Sequence, residues 1–212
     1  MKTNENMIKV WDPLIRIGHW TLVIAFFVAY FTEDDYLTQH TWAGYVVGVY
    51  VLCRLVWGFV GTEHARFRDF VPSPSTFTNY VRALRHNRAK RFLGHNPAGG
   101  AMVVALLISL SGTVSSGLML YAIEDNKGPL ADWVVNSADT AAIPALIAVA
   151  VADDGANDEA REEFWEDIHE IATNLTLLLV GLHIAGVLFS SYTHKENLIR
   201  SMFTGRKPGM EE

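Results

Sequence analysis

The chain has one cysteine, Cys53, so no disulfide framework can hold it together. Charge is sparse as well. Only 19% of the residues are Asp, Glu, Lys or Arg while 50% are hydrophobic, a balance that argues for a membrane protein over a soluble core. Internal repeats and low-complexity tracts are absent, and 212 residues fit one domain, 1–212. Basic residues are nearly missing from the connection Glu124 to Asn157, where Lys127 stands alone against Glu124, Asp125, Asp132, Asp139, Asp153 and Asp154. A net charge of -6, concentrated on such turns, offers no footprint for nucleic acid. A removable leader is not expected either, because the first apolar run begins deep in the chain and lacks a clear small-residue cleavage site.

What the chain does have is four apolar stretches near the length that crosses a hydrocarbon core: Pro13 to Thr32, Thr41 to Val60, Pro97 to Ile123 and Phe164 to Tyr192. Asp12-Pro13 is a helix-start signal for the first. Glycines 44, 48, 58 and 61 in and after the second permit close approach of another backbone or a flat ring. The loop Gly61 to Asn96 carries Arg66, Arg68, Arg82, Arg85, Arg88, Lys90 and Arg91 against Glu63 and Asp69, which assigns it to the cytoplasm. Both termini then fall on that side. Within the loop, Ser75 is expected to cap a short helix running through Arg88, with basic and aromatic residues suited to the lipid headgroups. The apolar patch Ala141 to Val151, with 11 residues, is too short to span and is expected to form a short extra helix over the outer end.

Four histidines fall within or at the ends of these stretches. His169 and His183 are 14 residues apart, an advance of about 1400° that returns within roughly 40° of whole turns while rising about 21 Å. They share one helix face at separate depths. Counting from the helix ends, His40 meets the level of His169 near the outer surface, and His19 that of His183 near the inner one. An ionisable residue inside a membrane is costly and marks a site by default. Imidazole is an axial ligand of haem iron, so the four could hold two stacked haems. Without a C-x-x-C-H segment any haem must be b-type. The competing reading for each histidine alone is a polar residue satisfied by a neighbouring helix. Zinc and di-iron sites fit poorly, because ligands about 21 Å apart cannot share a metal and Glu166 with His169 is the one Glu-x-x-His pair.

Haem propionates need cations. Arg16 precedes His19 by one turn, and Arg54 lies 14 residues after His40 on the same helix face, so both are candidate partners; snorkelling to the interface is the alternative. Trp20, Trp42 and Trp57 read as interface anchors. The residues Arg54, His64 and Arg66 could bound a quinone headgroup at the inner boundary. His95 sits at the same boundary as a possible proton carrier or surface residue, and His86 and His194 read as surface residues. The third stretch, with Ser109, Ser111, Thr113, Ser115 and Ser116, reads as tightly packing scaffold and part of the haem wall.

The segments WDPLIRIGHW, RLVWGFVGTEHARFRDFV, LGHNPAGG and HEIATNLTLLLVGLH together resemble the bacterial cytochrome b561 family, itself similar to the cytochrome b subunits of nickel-iron hydrogenases and formate dehydrogenases. The likeness covers nearly the whole chain. It implies an all-α transmembrane four-helix bundle binding two b-type haems through His19, His40, His169 and His183, in a bacterial inner membrane. It further implies electron exchange between the quinone pool and a partner on the outer face, such as a c-type cytochrome, which acidic outer loops would steer. In that reading quinol electrons enter at the inner haem and leave from the outer one, with reversal open. A membrane anchor of a larger oxidoreductase and a superoxide oxidase that reduces quinone are the alternatives. The long acidic segment before the fourth helix departs from the family pattern and leaves the partner open.

Overall fold

The structure is a computed structural model that describes residues 7–33, 35–86, 88–137 and 156–209. These form β1 (Met7–Lys9), α1 (Pro13–Phe31), α2 (Leu37–Val60), α3 (Phe67–Phe70), α4 (Pro74–Arg85), α5 (Pro97–Glu124), α6 (Ala131–Ser137), α7 (Ala156–Thr193), α8 (Leu198–Thr204) and β2 (Arg206–Pro208). The class is all-α, with one two-stranded ribbon.

Three helices open on the same two-residue signal, a short polar cap followed by proline at the first helical position. Asp12 Oδ1 accepts from the Ile15 amide at 3.0 Å to start α1, Ser73 Oγ from the Thr76 amide at 3.2 Å to start α4, and Asn96 Oδ1 from the Gly99 amide at 2.7 Å to start α5. The proline costs nothing there because its missing N–H would have had no partner in the helix. At the other end of the chain, Gly205 closes α8 in the left-handed region with φ 76°, where a side chain would be strained.

The helices Pro13–Phe31, Leu37–Val60, Pro97–Glu124 and the Glu159–Thr193 part of α7 are long and apolar enough to cross a membrane, with mean hydropathy between 1.7 and 2.0. Many large apolar side chains face outward from the spans. Phe31, Phe59 and Val60 are each about 70% exposed, while Thr176 and Ser116 are the most deeply enclosed side chains. In lipid such large apolar groups need no burial, and inside the bundle hydroxyls such as Ser109 and Thr176 hydrogen-bond across helices at 2.7 Å.

Packing divides the chain into two compact units, Met1–Leu107 with Leu178–Glu212, and Ile108–Leu177. In the first, α1 packs along α2, and β1 pairs antiparallel with β2 (Ile8 opposite Lys207), so the two ends of the described chain lie together. Asp12 joins the start of α1 to the end of α2, its Oδ2 accepting from Trp57 Nε1 at 3.2 Å and Thr62 Oγ1 at 2.6 Å. Burial alone would raise the Asp12 pKa, but the bonds from Thr62, the Ile15 amide, Trp57 and the Leu14 amide outweigh it and hold the carboxyl below its ordinary range. Glu196 is held by Arg91 and, at 3.5 Å, by Lys207, while Arg91 also donates to the carbonyls of Pro208 at 2.6 Å and Gly209 at 2.8 Å. In the second unit Met119, Ala122, Ala131 and Val134 form a core on which Ile123, Leu130 and Trp165 pack.

Several boundaries differ from expectation. Helix α2 begins at Leu37 and not Thr41, which places His40 inside its first turn. Helix α7 begins at Ala156, eight residues before Phe164. Hydropathy marks where a helix enters lipid, whereas Ala, Glu and Arg in the acidic run are strong helix formers that extend it beyond. The short loop helix is capped by Ser73 and ends at Arg85, where Ser75 and Arg88 were expected, because the proline at position 74 fixes the first turn. The patch Ala141 to Val151 lies outside the described residues.

Candidate functional site

Helices α1 and α7 bring the rings of His19 and His183 together, with centroids 6.4 Å apart and planes inclined by 53°. Two imidazoles on opposite sides of one metal stand about 6 Å apart, from two metal–nitrogen bonds of about 2 Å and the ring radii. The separation therefore fits one iron between them. Gly18, beside His19, has the Tyr50 ring 2.4 Å from where a Cβ would stand, so any larger residue would push α1 off α2 at this level. Nδ1 of His19 is buried and has no hydrogen-bond partner. Among the described residues no group of three or more His, Cys, Asp or Glu could hold a metal ion. A two-imidazole donor set matches a metal whose other ligands arrive with it, as in a porphyrin.

His169, in the second unit, is fixed differently. Its Nδ1 lies 3.0 Å from the Thr113 carbonyl and 3.1 Å from Ser116 Oγ, both on α5. A carbonyl only accepts, so the partners assign the ring proton to Nδ1 and the lone pair to Nε2. Gly117 makes room for the ring, since a Cβ there would stand 2.8 Å from His169 Cε1. His40, in the first unit, has the same tautomer, its Nδ1 donating to the Ala29 carbonyl at 2.9 Å. This is the arrangement by which metal-binding histidines are oriented and made more basic.

Arg54 is 5% exposed and therefore does not snorkel. Its guanidinium lies over the rings of Phe67 at 5.3 Å and Phe70 at 5.4 Å, and its Nη1 is buried with no hydrogen-bond partner. A buried cation with an unmet donor suits a carboxylate that the protein alone does not supply. Arg16 donates through Nη2 to the Phe203 carbonyl, and its buried Nε has no partner. Arg66 is ion-paired with Asp69 at 2.9 Å. His64 packs on Gly94, whose added Cβ would lie 3.3 Å from the His64 ring.

His95 is the residue that links this neighbourhood. Its ring sits 4.7 Å from both Trp11 and Phe70, and its buried Nδ1 has no hydrogen-bond partner. Burial, followed by the charges of Arg54 and Lys207 and the influence of His183 and His64, lowers its pKa to about 3. The ring is neutral at physiological pH, which disfavours the role of proton carrier. The sequence carried a signal for the Thr113, Ser116 and Gly117 set in the one-turn spacing of its hydroxyls, but such residues are equally common in plain helix packing.

A family model described as prokaryotic cytochrome b561 matches residues 10–205. A probable Ni/Fe-hydrogenase B-type cytochrome subunit from Azotobacter chroococcum is 28% identical over 62% of this chain and 68% of its own length, and that of Azotobacter vinelandii is 26% identical over the same shares. The Bradyrhizobium diazoefficiens protein of the same description is 21% identical over 94% of this chain and 85% of its own. No solved structure matches.

Proposed function

This chain belongs to the prokaryotic cytochrome b561 family, and we propose from that premise that it carries electrons between the membrane quinone pool and a redox protein on the outer face. It is a membrane b-type cytochrome of electron transfer, and its similarity to hydrogenase cytochrome subunits favours work within a redox-partner complex. The chain acts as one integral-membrane domain, 1–212, in a bacterial inner membrane with both termini cytoplasmic. The observation that carries the proposal is the His19–His183 ring pair at 6.4 Å, joining the first and last spanning helices.

His19 with His183 would hold one b-type haem and His40 with His169 a second. When bound, haem supplies a one-electron ferric/ferrous couple. The chain's residues do the rest. Thr113, Ser116 and the Ala29 carbonyl set the ring tautomers, and the lipid-covered helices exclude water. Arg54 is placed to bind a propionate through its unmet Nη1. Arg16, tied to the Phe203 carbonyl, would add its remaining donors. Arg54 and His64 bound the quinone headgroup, with Arg66 at the rim, where Asp69 draws its charge aside. Quinol oxidation releases two protons and two electrons, so the headgroup must reach the aqueous boundary at which His64 stands. The acidic residues Glu124, Asp125 and Asp132 would attract a basic partner protein at long range.

Anaerobic addition of a quinol analogue to the purified protein tests this. The b-type absorbance band should become reduced, and a basic c-type cytochrome added afterwards should reoxidise it. A band that dithionite reduces but quinol does not would contradict the quinone half of the proposal.

A further inference from the structure

We propose that Ser116 and the Thr113 carbonyl are positioning groups that hold the His169 site at a lower reduction potential than the His19–His183 site. The inference rests on the reading that these histidines ligate haem, and adds to it an order of potentials.

The hydroxyl of Ser116 donates back along its own helix, to the Gly112 carbonyl at 2.9 Å or the Thr113 carbonyl at 3.0 Å, so the lone pairs of its oxygen face His169 Nδ1 at 3.1 Å. The Thr113 carbonyl accepts from the same nitrogen at 3.0 Å. Two acceptors drawing on one N–H push electron density toward Nε2, and a more basic axial nitrogen stabilises the oxidised over the reduced iron. His40 is biased the same way by the Ala29 carbonyl at 2.9 Å. His19 differs, because its Nδ1 is buried without a hydrogen-bond partner and its ring is the weaker donor. The device is rigid: Ser116 is 1% exposed, and the His169 ring fills the space over Gly117. An electron shared between the two sites would therefore reside mainly at His19–His183.

The test is a spectroelectrochemical titration of the full chain, with the haem-to-protein ratio measured on the same samples, for wild type, His169→Ala, His183→Ala and Ser116→Ala. His169→Ala should remove the wave of lower potential and His183→Ala the higher one; if either variant fails to accumulate, the other makes the same assignment. Ser116→Ala should keep its haem and raise the lower wave by roughly two- to tenfold in the reduction equilibrium, at most about 59 mV for one electron. The other wave should not move. A reversed order, or a fully loaded Ser116→Ala protein with unmoved potentials, overturns the inference while leaving the two-haem reading intact. A wild-type ratio far from two removes the reading beneath it.

Discussion

The last spanning helix carries two imidazoles that the protein holds in different ways. His169 is locked by main-chain and side-chain oxygens of α5, with bonds of 3.0 and 3.1 Å at one ring nitrogen. His183 is placed against the ring of His19, which keeps a buried nitrogen without a hydrogen-bond partner. One ring is oriented by the protein itself, before anything binds. The other is seated against a second imidazole, with ring centroids 6.4 Å apart.

The largest effects should break the comparison outright. Replacing His183 or His19 with alanine is expected to remove one haem and leave the other, halving the b-type absorbance, and His169→Ala should remove the complementary half. An absorbance spectrum with all bands retained in any of these variants would contradict the assignment. A subtler break is Gly117→Val, which places side-chain atoms where the His169 ring now lies 2.8 Å from a Cβ position. Most of the haem at that site should be lost while the His19–His183 signal persists, as resolved by redox difference spectra.

Stability changes sharpen the contrast without touching either ring pair. Asp12→Ala removes the α1 cap and the two bonds to α2, and should cost roughly 2–4 kcal/mol in thermal unfolding of the detergent-solubilised protein. Because the Asp12 carboxyl is held below its ordinary 3.8, its contribution is complete above that pH and fades as pH falls through the lower folded value. Lys207 has the same sign in a higher pH window. Burial, then the charge of Arg91, lowers its pKa to about 8, so the unfolded chain binds the extra proton between there and about 10.4. Wild-type stability should therefore rise across that window by an amount on the order of 2 kcal/mol, and Lys207→Met should lack the rise. Equal pH profiles for the two proteins would contradict it.

Much of this was legible in the sequence because membrane helices announce themselves by length and apolarity, and because counting residues from helix ends gives depth. The proximity of His19 to His183 follows from that count. The eight-residue extension of α7 before Phe164 was hidden because hydropathy reports lipid contact and not hydrogen bonding. The cap of α4 falls on Ser73 and not Ser75, the same cap-then-proline signal that Asp12-Pro13 displays. The setting of His169 was illegible for another reason: its principal partner is the Thr113 carbonyl, a group every residue possesses. His95 looked like a boundary residue because LGHNP gives no hint that Trp11 and Phe70 close around it.

The most direct test of the central claim is the haem-to-protein ratio of purified wild type and His183→Ala, determined by denaturing extraction of haem against quantified protein. Ligation at two levels predicts a ratio near two that falls to near one in the variant. A wild-type protein without haem, or a variant with the full wild-type ratio, would contradict it.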